Sequence, residues 1–276
     1  MLRKVIISCF IIFIVLLKGC YIYGDNSKWE KLEEGLYLQN FDIPKAIYLG
    51  GAAKVTVLKI NPQYFSFRLL TSSELNEQPL TAKQWAKKYK LVATVNAGMY
   101  QEDKKTNVGF MKNYKHVNNP RIAKNYKAVF AFNHLSDDVP DTQIIDLDCQ
   151  DFATLKHKYK TFVQNLRLIN CKGENVWKKQ ANAWSMAALA TDNQGNVLII
   201  FTATAFTVYD FINVLLELPL SIKNAMYLEG GKETSLYVDN GAREIELSGN
   251  GASFYIQTEP WPIPNVIGIV RKTNIK

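Results

Sequence analysis

The chain has 276 residues, 47% of them hydrophobic and 21% charged, with a formal net charge of +8. That balance is close to the soluble globular average, and it excludes a disordered chain, a collagen-like or coiled-coil rod and a multi-span membrane protein. Four Cys and three His are too few for a disulfide-dense scaffold or a Cys/His-rich metal protein.

The N-terminus reads as an address. Arg3 and Lys4 precede an apolar run from Val5 to Leu17, the pattern of an export signal. The run is shorter than the roughly 20 residues that span a bilayer. In Leu17-Lys18-Gly19-Cys20, Cys20 is a candidate lipidation site, although Lys18 fits a lipoprotein box poorly. Ordinary cleavage near Gly24 is the alternative. The expected organisation is a signal peptide or lipoprotein signal over 1–24, a polar lead-in over 25–50 and a single compact domain over 51–276. The expected location is the periplasm, the cell envelope or the medium, with membrane contact only through an N-terminal lipid. Removal of 1–24 takes away Arg3, Lys4 and Lys18 and no acidic residue, so the net charge falls from +8 to +5. Basic stretches such as Lys156-His157-Lys158 then read as solvated faces, and no nucleic-acid partner is expected. Cys149 and Cys171 stay in the exported part and are candidates for a disulfide. Two buried free thiols are the alternative.

In chain order, short strands come first. Lys54–Ile60 alternates, and Phe65–Leu70 follows the Asn61-Pro62 turn signal. Thr81 and Gln84 make a capping box, and Trp85, Ala86 and Tyr89 give the following helix its apolar face. Leu91–Val95 is a buried strand ending at Asn96. Further strands are predicted at Val108–Lys112, Ala128–Phe132, Gln143–Leu147 and Leu166–Asn170, with a helix over Phe152–Phe162. Ser185–Thr191, the turn Asp192–Gly195, Val197–Thr202, a helix capped by Thr207 and Asp210, and the strand Ala225–Leu228 form the clearest unit. This succession predicts an α/β (α+β) fold with mixed β-sheets and packed helices. Pro260–Pro264 is read as an extended segment laid over the surface.

Two segments carry chemistry. Asn96-Ala97-Gly98-Met99-Tyr100 follows a strand: its small residues allow a ligand close to the backbone, and Asn96 offers both a donor and an acceptor. A plain turn is the alternative. In Leu228-Glu229-Gly230-Gly231-Lys232, a carboxylate directly follows a buried strand, where it is costly unless used or paired. The two glycines can form an anion-binding nest, with Lys232 adding a positive charge. A hairpin turn with surface charges is the alternative. Ser185 lies outside any G-x-S-x-G elbow, and no phosphate-binding loop or dinucleotide fingerprint occurs.

The order and spacing of these segments resemble the phosphodiester glycosidase domain family. Asn96–Tyr100, Gly109–Met111, Ala187–Ala190, Asp192–Gly195, Val197–Thr202, Thr207–Leu218 and Leu228–Ser235 match its successive motifs. Three departures stand out. Glu229 occupies a position that is usually Asp. Lys232 and Glu233 replace a Gly and a Ser. Trp184-Ser185-Met186 stands where members commonly carry an Arg. The resemblance implies a hydrolase that cleaves a sugar-1-phosphodiester bond in an envelope or extracellular glycan. The alternative is a non-catalytic envelope protein that binds a phosphorylated glycan in the same cleft. A phosphate ester leaves readily, so Glu229 is expected as base or nucleophile. Gly230, Gly231 and Lys232 would cradle the phosphate, and Asn96 would orient a sugar hydroxyl or water. Gly98, Ser185 and Thr207 are candidate substrate contacts. No cofactor or metal is expected; a divalent cation near the cleft is left open, although no ligand spacing points to one.

Overall fold

Apolar runs dominate the chain, and nearly all of them pair as antiparallel strands. In the computed structural model, residues 28–44, 53–249 and 259–273 are described; the expected signal over 1–24 and Cys20 lie outside them. The first part of the chain contains β1 (Glu30–Glu33), β2 (Leu36–Ile43), β3 (Ala53–Ile60), β4 (Phe65–Thr71), α1 (Ser72–Leu75), α2 (Ala82–Tyr89) and β5 (Ala93–Asn96). The middle holds β6 (Met111–Asn113), β7 (His116–Asn119), β8 (Ala128–His134), β9 (Thr142–Asp146), α3 (Phe152–Leu155), β10 (Tyr159–Asn165) and β11 (Arg167–Ile169). The last part runs through β12 (Trp184–Asp192), β13 (Val197–Phe206), α4 (Val208–Glu217), β14 (Ile222–Gly230), a 3-10 turn (Gly231–Glu233), β15 (Ser235–Asp239), β16 (Glu244–Ser248) and β17 (Asn265–Arg271).

The strands form three sheets, in the orders β1-β2-β3-β13-β12-β14-β11, β7-β6-β10-β8-β9 and β16-β15-β5-β17-β4. The architecture is therefore mostly β, with few helices, and the expected weight of packed helices is corrected. The sheets share one core. Leu58 and Ile199 of the first meet Phe130 and Val163 of the second and Phe67, Val95, Leu236 and Ile267 of the third. The opposite face of the first sheet, including Val55, Val57, Ala188 and Ile200, is covered by Phe211, Ile212 and Leu215 of α4. Burial on both faces explains why β12 and β13 read as near-continuous apolar runs. On the third sheet α2 seats Trp85, whose indole Nε1 donates to the Ile263 carbonyl at 2.9 Å.

Three local expectations change. The predicted helix over Phe152–Phe162 is a single turn, α3, capped by Asp151; from Tyr159 the chain is the strand β10, hydrogen-bonded to β6 and β8. The expected lead-in supplies β1 and β2, with Leu36, Leu38, Phe41 and Ile43 buried. The Pro260–Pro264 segment does not merely lie over the surface: Ile263 is buried and bridges to Leu80.

Cys149 and Cys171 are joined in a disulfide, with Cα atoms 6.5 Å apart and a sequence separation of 22. Closing a loop of that length constrains the unfolded chain by about 3 kcal/mol. Beside it, buried Asp146 accepts from Arg167 Nη1 at 2.5 Å and from the Cys171 N–H at 3.0 Å. Among the described residues no helix is long and apolar enough to cross a membrane.

Candidate active site

Strand ends bring the site together. Glu229 lies at the end of β14, one residue before Gly230, in register with Ala187 of β12. Ser185 is at the start of β12, and its Oγ donates to the Gly231 carbonyl at 2.9 Å. Asn96 ends β5, in the neighbouring sheet, and is fully buried. Its Nδ2 donates to the Glu233 carbonyl at 2.6 Å, and its Oδ1 accepts from Ser235 N–H at 2.8 Å and Ser235 Oγ at 3.2 Å. Asn96, Ser185, Glu229, Gly230, Gly231 and Lys232 thus meet around one turn.

The Asn96 amide is engaged on both sides, so its geometry is that of a positioning residue holding the Gly231–Glu233 turn. An Asn96→Ala substitution strands two backbone groups and a hydroxyl, at about 1–3 kcal/mol for each group left unsatisfied. Denaturant unfolding is expected to show a loss of that order, with activity falling alongside.

Glu229 is 8% exposed. Burial pushes its carboxyl up to about 8; the Gly230 N–H bonded to Oε1 at 3.0 Å opposes that rise, and the nearby Glu233 charge adds to it. The same Gly230 N–H, counted on for an anion nest, is therefore already directed at Glu229. Gly230 is fixed by close approach. A Cβ there would fall 2.0 Å from Tyr227 Oη and 2.4 Å from Trp184 Cδ1. Those two rings form one wall, with Trp184 Nε1 donating to Tyr227 Oη at 3.0 Å. Gly231 has φ +74°, a left-handed conformation that glycine adopts without cost.

Tyr100 and Trp261 also stand at this turn. The Lys232 ammonium lies 3.6 Å from the centroid of the Trp261 ring, a cation–π contact that leaves the lysine on the rim of the turn. Tyr100 is hydrogen-bonded to Trp261 and held above its ordinary pKa, first by burial and then by the charges of Glu233 and Glu229. Tyr227 is raised by burial and by Glu229.

The remaining candidates sit elsewhere. Gly98, at φ +143°, packs its backbone against Asn107 and Asn165, where a Cβ would be 2.8 Å from Asn107 Oδ1. Thr207 caps α4: its Oγ1 accepts from the Asp210 N–H at 3.1 Å and donates to Asp210 Oδ2 at 2.7 Å. Asp146, Cys149 and Cys171 cluster within 4.8 Å, but the sulfurs are joined and the carboxylate is bonded to Arg167, so those groups are engaged rather than offered to an ion. Sequence reasoning did not single out Glu233, Tyr100, Trp184, Tyr227 or Trp261 as site residues. Glu233 reads as a surface charge until Asn96, 137 residues away, is seen to hold its backbone.

The phosphodiester glycosidase family model matches residues 89–270, which includes Asn96 and the whole Glu229–Ser235 turn. This chain belongs to the phosphodiester glycosidase family. Phosphodiester glycosidases as a family are hydrolases. No match was found among curated proteins. Solved structures share the fold. A hypothetical protein from Synechocystis superposes with TM-score 0.64 at 15% identity, over 89% of this chain and 64% of that one, so this chain spans less than two thirds of its length. The zebrafish N-acetylglucosamine-1-phosphodiester alpha-N-acetylglucosaminidase catalytic domain, auto-inhibited by its pro-peptide, gives TM-score 0.61 at 14% identity over 87% of this chain and 85% of that one. A Burkholderia pseudomallei K96243 protein described as exported gives TM-score 0.50 at 10% identity over 80% and 74%.

Proposed function

We propose that this chain hydrolyses a sugar-1-phosphodiester bond in an envelope or extracellular glycan, at the glycine turn where Glu229, Trp184, Tyr227, Tyr100 and Trp261 come together. The observation that carries this reading is the convergence of Asn96, Ser185 and Glu229 from three strands of two sheets on one glycine turn. Aromatic walls suit the apolar face of a sugar ring, and buried donors and acceptors suit its hydroxyls. Export accords with the disulfide and with the description of the Burkholderia pseudomallei protein of similar fold as exported.

Burial holds the carboxyl of Glu229 well above the usual carboxylate range, to about 8, which favours its neutral form. In this reading Glu229 serves as a proton donor, where the resemblance implied a base or nucleophile. Oε1 accepts from Gly230 N–H, which leaves Oε2 to carry the proton toward the departing phosphate oxygen. An acid raised by an apolar pocket is a common device in glycoside hydrolysis. Lys232, on the rim, supplies positive charge to an anionic substrate. No cofactor enters this scheme.

The test is an assay of the purified chain against a panel of sugar-1-phosphodiesters, with free reducing sugar and phosphomonoester both measured. Stoichiometric release of the two supports the reading. Saturable binding without turnover would assign the protein instead to non-catalytic recognition of a phosphorylated glycan.

A further inference from the structure

Glycoside hydrolysis ordinarily draws on two carboxyl groups, one aiding the departing oxygen and one the entering water. A neutral, buried Glu229 supplies the first and cannot at the same time supply the second. The charged groups of the turn beyond Glu229 are Lys232 and Glu233. Lys232 is seated on the Trp261 ring. Glu233 is half-buried, on a short turn whose geometry is fixed at both ends. Asn96 Nδ2 grips its carbonyl at 2.6 Å, and Thr234 N–H donates to the Gly231 carbonyl at 3.2 Å. Its carboxylate lies within electrostatic reach of Glu229. Tyr100, on the loop after β5, and Tyr227, on β14, each feel the charge of both carboxylates, and Glu229 itself feels that of Glu233. A Cβ built on Gly231 would lie 3.6 Å from Glu233 Oε2, so the carboxylate folds back over the glycine turn rather than out into solvent.

We propose that Glu233 is the second carboxylate of the reaction, removing a proton from the water that attacks the anomeric carbon while Glu229 protonates the departing phosphate oxygen. This rests on the hydrolase reading above. In the step, the C1–O bond to phosphate breaks and its electron pair leaves with the phosphomonoester. A new C1–OH bond forms from water. One water proton goes to Glu233, and the Glu229 proton goes to the leaving oxygen. Transfer of the proton from Glu233 back to Glu229 through solvent restores the starting state. Two carboxyl groups in unlike surroundings, one buried and one half-buried, are the arrangement by which one site holds an acid and a base together. The assignment also gives a use to one of the chain's departures from its family pattern, where a Ser is replaced by Glu233.

The experiment compares the wild-type chain with Glu233→Gln and Glu233→Ala on a sugar-1-phosphodiester, with and without sodium azide. Loss of a positioned base lowers kcat by about 10²–10⁴-fold with KM little changed. Azide, which needs no deprotonation, is expected to restore turnover in Glu233→Ala and to yield a glycosyl azide detectable by mass spectrometry. A variant that keeps wild-type kcat would overturn the assignment. So would a variant that loses kcat, still binds a non-hydrolysable phosphodiester with wild-type affinity and gives no azide product. If the wild-type chain itself turns over none of the phosphodiesters, the hydrolase reading fails and the assignment falls with it.

Discussion

Glu229→Gln is expected to abolish most of the activity and, unusually for a buried site, to stabilise the fold. Gln keeps the acceptor for the Gly230 N–H but carries no proton to give, and removal of a general acid lowers kcat by about 10²–10⁴-fold. The stability effect follows from linkage. Burial raises the carboxyl to about 8 in the folded chain, against its ordinary 4.5 when unfolded. Its folded value is raised, so below pH 4.5 both states are protonated and the group costs nothing. As the pH rises from about 4.5 to about 8, the unfolded chain releases a proton that the folded chain retains, and stability falls. Above about 8 the loss is complete. At about 1.4 kcal/mol per pH unit it reaches several kcal/mol. Thermal unfolding of wild type and Glu229→Gln should therefore nearly coincide at pH 4, diverge steadily to pH 8 and run parallel above it. A constant difference across that range would mean that the carboxyl is not held neutral.

Gly230→Ala is the second large effect. The new methyl would collide with Tyr227 Oη and the Trp184 ring. Neither ring can move independently, since Trp184 Nε1 is bonded to Tyr227 Oη and both sit against the core under α4. Overpacking of this kind costs about 1–3 kcal/mol, and relief must come from shifting the end of β14, which carries Glu229. The expected result is a Trp fluorescence change, a lower midpoint of unfolding and loss of most activity. Gly231→Ala is the comparison. Its methyl meets only Glu233 Oε2 at 3.6 Å, while φ is +74°, so it should cost about 1–2 kcal/mol of backbone strain without disturbing the aromatic wall. Equal effects from the two substitutions would show that the wall does not set the position of Glu229.

Much of this was legible locally. Both bonds of the Thr81–Gln84 capping box form, Thr207 caps α4 as its hydroxyl and Asp210 suggested, and the apolar runs of β12, β13 and β14 mark the strands that carry the site. Glu229 could be singled out because a carboxylate closing a buried strand is conspicuous within a few residues of sequence. What failed were features decided by distant partners. Phe152, Leu155, Tyr159 and Phe162 are spaced for a helix, yet their burial comes from one turn followed by a strand, because β6 and β8 offer hydrogen bonds on both sides of Tyr159–Asn165. The alternation of Leu36, Leu38, Phe41 and Ile43 was hidden by the polar residues between them. Glu233, Tyr100 and Trp261 are ordinary loop residues until Asn96 and the Pro260–Pro264 segment bring them to the glycine turn.

The central claim is that a neutral Glu229 donates a proton to a leaving phosphate. Its most direct test is kcat/KM for a sugar-1-phosphodiester between pH 5 and pH 10, since that ratio reports titration in the free enzyme. The account predicts a descending alkaline limb centred near pH 8, absent from the residual activity of Glu229→Gln. A kcat/KM that rises through pH 8 would make Glu229 a base and contradict it.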